Sequence, residues 1–203
     1  MFQIDKDEPR YFTSAKLKVK LPKVKNAWND ENISAIREVL REDILIKEQK
    51  GLCAYCEKKI SSSSTSSNID HFKTRNLFPE KTLDYNNLLV SCNTKERCSS
   101  LKDSHKSLLK RKEDYGNIIN PVIENPNSFF DYLLSGEMIP LDEKAKFTIE
   151  LFDLNHQSLY DERKILADTL QYCLDLSLDE IYDNFGYEFQ SFIQNIYPKL
   201  KEL

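Results

Sequence analysis

Gly51-Leu52-Cys53-Ala54-Tyr55-Cys56-Glu57, Ile69-Asp70-His71-Phe72 and Asn86-Asn87-Leu88-Leu89-Val90-Ser91-Cys92, followed by Cys98, form the stretch whose reading decides the fold. Four of the five cysteines fall into two pairs, and an Asp-His dipeptide lies between them. Two thiolates separated by two residues fit one tight turn, and zinc favours four thiolates in a tetrahedron. Cys53 and Cys56 supply such a turn. Cys92 follows Cys56 by 36 positions, and five residues separate it from Cys98, a looser loop that still places both sulfurs. The plainer reading is four buried free thiols acting as small apolar side chains. The pairing, in a chain without export features, favours a structural Zn2+ held by Cys53, Cys56, Cys92 and Cys98. Cys173 lies among Leu166, Leu170 and Leu174 and reads as core.

Composition sets the bounds. A chain of 203 residues, 40% hydrophobic and 31% charged, can bury a full core and reads as globular. The first residues lack the basic-then-apolar order of a signal peptide, and no apolar run has the length of a membrane span. A cytoplasmic location and no membrane partner are expected. Net charge is only −4, but it is unevenly spread. Residues 1–25 carry seven Lys/Arg against three Asp/Glu, residues 71–114 ten against six, and residues 115–203 six against sixteen. A basic front and an acidic back fit a protein that meets phosphate on one side, or two ordinary solvated faces.

Outward from the cysteine frame, the chain divides into an arm (1–26), a zinc-bound core (27–115) and a mixed, then helical, C-terminal region (116–203). The arm alternates Lys16, Lys18 and Lys20 with Leu17, Val19 and Leu21, as a strand or an extended segment closed by Pro22. Ile33, Ile36, Leu40 and Ile44 draw one helical face from Trp28 to Gln49, with Gly51 as its stop. Ser61–Ser67 reads as a loop. Short strands are predicted at Asn68–Phe72 and Leu88–Val90, separated by a long loop, then a helix over Ser99–Lys112. Further strands are predicted at Ile118–Pro121 and Phe147–Leu151. A helix opens at Ser158, and another at the capping box Ser177-x2-Glu180, ended by Pro198. The predicted class is α+β.

Phosphodiester hydrolysis needs a base for water, a cation for the phosphate charge, and positioning. His71 is the candidate base because imidazole titrates near neutrality. Asp70, its neighbour on a strand, points to the other side and can hold a hard divalent metal such as Mg2+. Asn87 can fix the loop and orient the imidazole. An Asp-His pair alone is weak; between two thiolate pairs, with Asn-Leu before the third cysteine, it becomes specific.

These residues carry a resemblance. The quoted motifs, with Asp84-Tyr85 before the Asn-Asn pair, resemble the HNH endonucleases, and more closely the PtuB-like HNH proteins of Septu-type and retron-associated phage-defence systems. Ile119-Asn120-Pro121, Thr148-Ile149 and Leu154-Asn155 are also similar to that family. The resemblance implies a ββα-metal nuclease core with a four-cysteine zinc site, flanked by an N-terminal helix and a mostly helical C-terminal region. It implies a catalytic Mg2+ or Mn2+, DNA as substrate, and an SMC-like or PtuA-like ATPase subunit as partner. The wider group places Asn or His after the fourth cysteine as a second metal ligand, then Lys three positions on. Here Ser99 stands in that place and Lys102 keeps the other, which leaves Asp103 or His105 as second ligand. Lys73 and Arg75, with Lys102, are the candidate nucleic-acid contacts. The rival reading is a zinc-stabilised module, catalytically reduced, that binds DNA or a partner protein.

Overall fold

The computed structural model describes residues 1–202. Its centre is a hairpin of two antiparallel strands, β1 (Ser67–His71) and β2 (Leu88–Cys92), paired from Ser67↔Cys92 to His71↔Leu88. Every residue of β2 is buried. Leu89 and Cys92 join a large core shared with the C-terminal half, while Leu88 and Val90 join a second core under the N-terminal helices. A strand buried on both faces has no solvent-facing alternation, which is why it reads as a short continuous apolar run.

The N-terminal region does not form the strand allowed for by its alternation. Arg10–Lys16 is helix α1, with Phe12 and Ala15 buried three residues apart on one face. Ahead of it, Met1, Phe2 and Ile4 enter the large core, and Ile4 N–H donates to the Pro121 carbonyl at 2.9 Å. The Met1 amino group pairs with Glu57, whose other oxygen accepts from Ser191 N–H at 2.9 Å.

The helix predicted over Trp28–Gln49 is interrupted. A 3-10 turn (Lys25–Asn29) leads to α2 (Glu31–Ser34), capped by the Asp30 side chain, then α3 (Arg37–Asp43) and one widened π turn (Ile44–Glu48). The extra residue in a π turn shifts the register of side chains. Ile44, Leu45 and Gln49 consequently all reach full burial. Gly51 stops the segment at φ +78°, where only glycine sits without strain.

Helix α4 covers only Cys98–Lys102, shorter than the predicted Ser99–Lys112. Beyond it, serine hydroxyls compete for backbone partners: Ser104 Oγ donates to the Leu101 carbonyl and accepts from Lys106 N–H, and Ser107 Oγ accepts from Leu109 N–H. Ile118–Pro121 forms no strand because its backbone bonds go to separate elements, Ile119 N–H to Thr148 Oγ1 and the Pro121 carbonyl to Ile4.

A second small antiparallel pair, β3 (Phe130–Tyr132) and β4 (Met138–Pro140), precedes α5 (Glu143–Phe152). The predicted strand Phe147–Leu151 lies inside α5. Asp142 caps Ala145 N–H, and Ala145, Thr148, Ile149 and Phe152 recur at helical spacing as its buried face. Then come α6 (Gln157–Leu170), α7 (Leu178–Phe185) and α8 (Gln190–Lys201). The Ser177–Glu180 capping box is formed. The final helix is split at Gly186, and it runs through Pro198 because buried Leu200 anchors the last turn. No helix among the described residues is long and apolar enough to cross a membrane.

Gln49 ties these layers together. Its amide accepts from Val90 N–H and donates to the Val90 and Leu52 carbonyls, each at 2.8 Å, with the side chain fully buried. Gln49→Leu orphans the Val90 donor, so a loss of about 2 kcal/mol or more is expected. A urea midpoint equal to wild type in the metal-loaded protein would contradict this role.

Candidate metal centre and hydrolytic cleft

The backbone of residues 53–58 closes a knuckle: Cys53 N–H donates to the Lys58 carbonyl at 2.9 Å, Glu57 N–H to the Cys53 carbonyl at 3.1 Å, and Glu57 sits at φ +61°. Cys92 ends β2 and Cys98 opens α4. The four sulfurs lie within 4.8 Å of one another, all buried and none in a disulfide. Cys92 N–H donates to Cys53 Sγ at 3.4 Å, the kind of outer contact that steadies a thiolate. Hydrogen bonds from the other three cysteines hold the Cys92 thiol far below its usual range. Burial opposes the charge on Arg97, yet the neighbouring sulfurs of Cys56, Cys98 and Cys92 raise its pKa. This group can hold a metal ion such as zinc. Cys173 is half-buried, with its thiol on the Thr169 carbonyl, outside the cluster.

At the other end of the hairpin lies a cleft of about 460 Å3, whose walls include Asp70, His71, Asp103, Lys25, Arg75 and Lys110. Adjacent residues on a strand face opposite ways. Asp70 turns to Tyr55 and Lys102, and His71 to Trp28, whose ring meets the imidazole edge-on at 4.7 Å. His71 Nε2 lies 2.9 Å from the Thr82 carbonyl. A carbonyl only accepts, so Nε2 carries the proton and Nδ1 keeps a lone pair. Burial is the main cause that pushes the His71 pKa down to about 4, so the ring is neutral near pH 7.

Asn87 does not touch the imidazole. Its Nδ2 donates to the Lys73 and Lys81 carbonyls at 3.0 Å each, and its Oδ1 accepts from Lys73 N–H at 2.7 Å. It therefore staples the chain after β1 to the loop whose next residue, Thr82, fixes the ring.

Asp70 and Asp103 flank Lys102. The ammonium is 3.0 Å from Asp70 Oδ1, 2.7 Å from Asp103 Oδ1 and 2.9 Å from the His71 carbonyl. Tyr55 donates its hydroxyl to the other Asp70 oxygen. Partial burial and the Asp70 carboxylate raise the Asp103 pKa to about 6, against the pull of Lys102.

The predicted site residues thus separate. Asp70, His71, Asp103 and Arg75 meet at the cleft. Lys102 is 1% exposed, so the predicted phosphate contact is corrected to an internal ion pair. The Lys73 ammonium lies over the Phe78 ring and is not part of the cleft wall. His105 is exposed outside the cleft, and its carbonyl accepts from Lys110. Ser99 is buried, its hydroxyl taking a bond from Asn68 at 3.3 Å. Sequence reasoning missed Tyr55, Trp28, Lys25 and Lys110. For Tyr55 the available signal was its place inside the Cys-x2-Cys knuckle, and for Trp28 its being the chain's sole tryptophan.

No family model matches the chain. It is similar to the Septu protein PtuB of Bacillus thuringiensis, with 29% identity over 145 residues, 70% of this chain and 51% of that protein. The chain spans about half the length of this curated relative.

If the four thiolates hold an ion, its binding energy is part of the folding energy. Elemental analysis of protein purified under reducing conditions is expected to return one metal ion per chain, lost in Cys53→Ser. Stripping it with a chelator is expected to abolish cooperative thermal unfolding. Metal-free protein with four titratable thiols and an unchanged melt would refute the centre.

Proposed function

We propose that the chain is a metal-dependent endonuclease of the HNH, ββα-metal type, with zinc at the four-cysteine centre and DNA phosphodiesters as substrate. The observation that carries this reading is the His71 tautomer. With Nε2–H engaged by Thr82, Nδ1 keeps the imidazole's free lone pair, on a ring that lines the cleft beside two carboxylates.

His71 Nδ1 takes a proton from water, the oxygen attacks phosphorus, and the bond to the leaving sugar oxygen breaks as that oxygen takes a proton from a solvent water. Asp70 and Asp103 are the oxygen donors suited to a hard Mg2+ or Mn2+, which when bound supplies positive charge at the phosphate. Lys25, Arg75 and Lys110 grip backbone phosphates, a contact that holds nucleic acid without reading bases. Trp28 packs edge-on against the imidazole and limits its rotation.

The likeness to PtuB supports a place in a Septu-type antiphage defence complex, and the family resemblance supports an SMC-like or PtuA-like ATPase as the other subunit. A second reading, a catalytically reduced binding module, is favoured by one observation: Ser99 turns to Asn68 and does not line the cleft.

Purified protein with Mg2+ or Mn2+ is expected to nick or linearise supercoiled plasmid, alone or with its co-purified ATPase. His71→Ala is expected to lower the rate by at least ~100-fold while metal content and cooperative unfolding are retained, as befits loss of a general base. Equal cleavage by both would remove His71 from catalysis, and no cleavage under either condition favours the binding module.

The acid limb carries a second test. His71 stays neutral down to about 4, whereas Asp103 gains its proton near 6, below which a cation loses a ligand. With limiting Mn2+, initial rates are expected to climb with pH through about 6 and then level. In Asp103→Asn that limb should vanish from whatever activity remains.

A further inference from the structure

We propose that Lys102 is a built-in counter-cation for the Asp70–Asp103 pair, and that a divalent ion binds this site weakly because it must bind against that resident charge. This rests on the nuclease reading of the cleft and deepens it by stating how the metal site is controlled.

The geometry is complete without any added ion. The Lys102 side chain is 0% exposed, and its ammonium has three N–H donors. Three acceptors receive them: Asp70 Oδ1 at 3.0 Å, Asp103 Oδ1 at 2.7 Å and the His71 carbonyl at 2.9 Å. Asp70 is as deeply buried as Lys102, with 1% of its side chain exposed, and Tyr55 donates to its second oxygen. A buried carboxylate without a partner is costly, and two side by side repel. One ammonium between them lets the site fold with a net charge of −1 instead of −2.

That arrangement has a consequence for ions. Asp103 is half exposed and Asp70 almost fully buried, so a cation in the cleft meets the pair mainly through Asp103. A divalent cation arriving there finds half the negative charge, with a positive neighbour behind it. Its remaining ligands must come from water and from the phosphate itself, which suits Mg2+ or Mn2+. Metal occupancy is thereby coupled to the presence of a phosphodiester, and an idle protein keeps its site closed by its own lysine. The third N–H, on the His71 carbonyl, ties the same lysine to the backbone of the candidate base, so displacing it shifts both parts of the site.

The experiment is a Mn2+ titration of the zinc-loaded full chain, reading free Mn2+ by electron paramagnetic resonance, on wild type, Lys102→Met and Asp103→Asn. Lys102→Met is expected to bind Mn2+ at least tenfold more tightly than wild type, and to gain more in melting temperature from the ion. Asp103→Asn is expected to lose binding. Equal or weaker Mn2+ affinity in Lys102→Met, with Asp103→Asn still lost, overturns the counter-cation while leaving the metal site. Unchanged binding in Asp103→Asn overturns both. Should Lys102→Met fail to fold alone, recovery of its circular dichroism and melting transition on adding Mn2+ supports the proposal, and failure to recover at saturating ion overturns it.

Discussion

The pairing of β2 is the constraint on which the rest depends. One edge is taken by β1, and part of the other by Gln49 and by Ala54 N–H, which donates to the Val90 carbonyl at 3.0 Å. Leu88 and Val90 on one face lie in the N-terminal core, and Leu89 on the other lies in the large core. Side chains alternate along a strand, so a slip of one residue would turn each to the other face. Cys92 would leave the sulfur cluster and the loop held by Asn87 would lose its place. Burial on both faces makes such a slip expensive at every position at once. The thiolate centre and the imidazole cleft are therefore the two ends of one rigid ruler, and neither can be perturbed through β2 without the other.

Charge is divided along the same ruler. At the cleft end, Lys25, Arg75 and Lys110 surround two carboxylates. At the sulfur end, Lys58 pairs with Glu162 of α6 and with Glu188, just ahead of α8. The acidic C-terminal region thus uses part of its charge to hold the knuckle. Such separation matters less for stability, since exposed pairs contribute little, than for which partners approach from which side.

How much of this was legible follows from what each side chain can do. Cysteines in two close pairs and an Asp-His dipeptide have few uses, so Cys53, Cys56, Cys92, Cys98, Asp70 and His71 stand out from sequence alone. Strands 68–72 and 88–90 were legible as short apolar runs with loop composition between them. Phe147–Leu151 was not: five residues rich in aromatic and β-branched side chains fit either period, and Asp142, the cap that decides for a helix, lies outside the window. Lys102 was misread for a physical reason. A lysine near a phosphate site is ordinarily solvated, and only the tertiary placement of Asp70 and Asp103 makes it an internal ion. Gln49 and Tyr55 are illegible in the same sense, their roles being bonds to residues distant in sequence. Asn87 was half legible: its loop-fixing was foreseen, its action through Thr82 was not.

The edge-on contact between Trp28 and His71 gives the molecule an optical property as well as a mechanical one. The chain has a single tryptophan and ten tyrosines, and that tryptophan stands in the wall of the cleft. Light emitted on excitation of the indole therefore comes from one known place, a ring 4.7 Å from the imidazole and beneath the Arg37 guanidinium. Any ligand entering the cleft would alter the surroundings of this one chromophore. The protein carries an intrinsic, label-free gauge of its own groove, silent about the sulfur centre and the acidic helices at the far end.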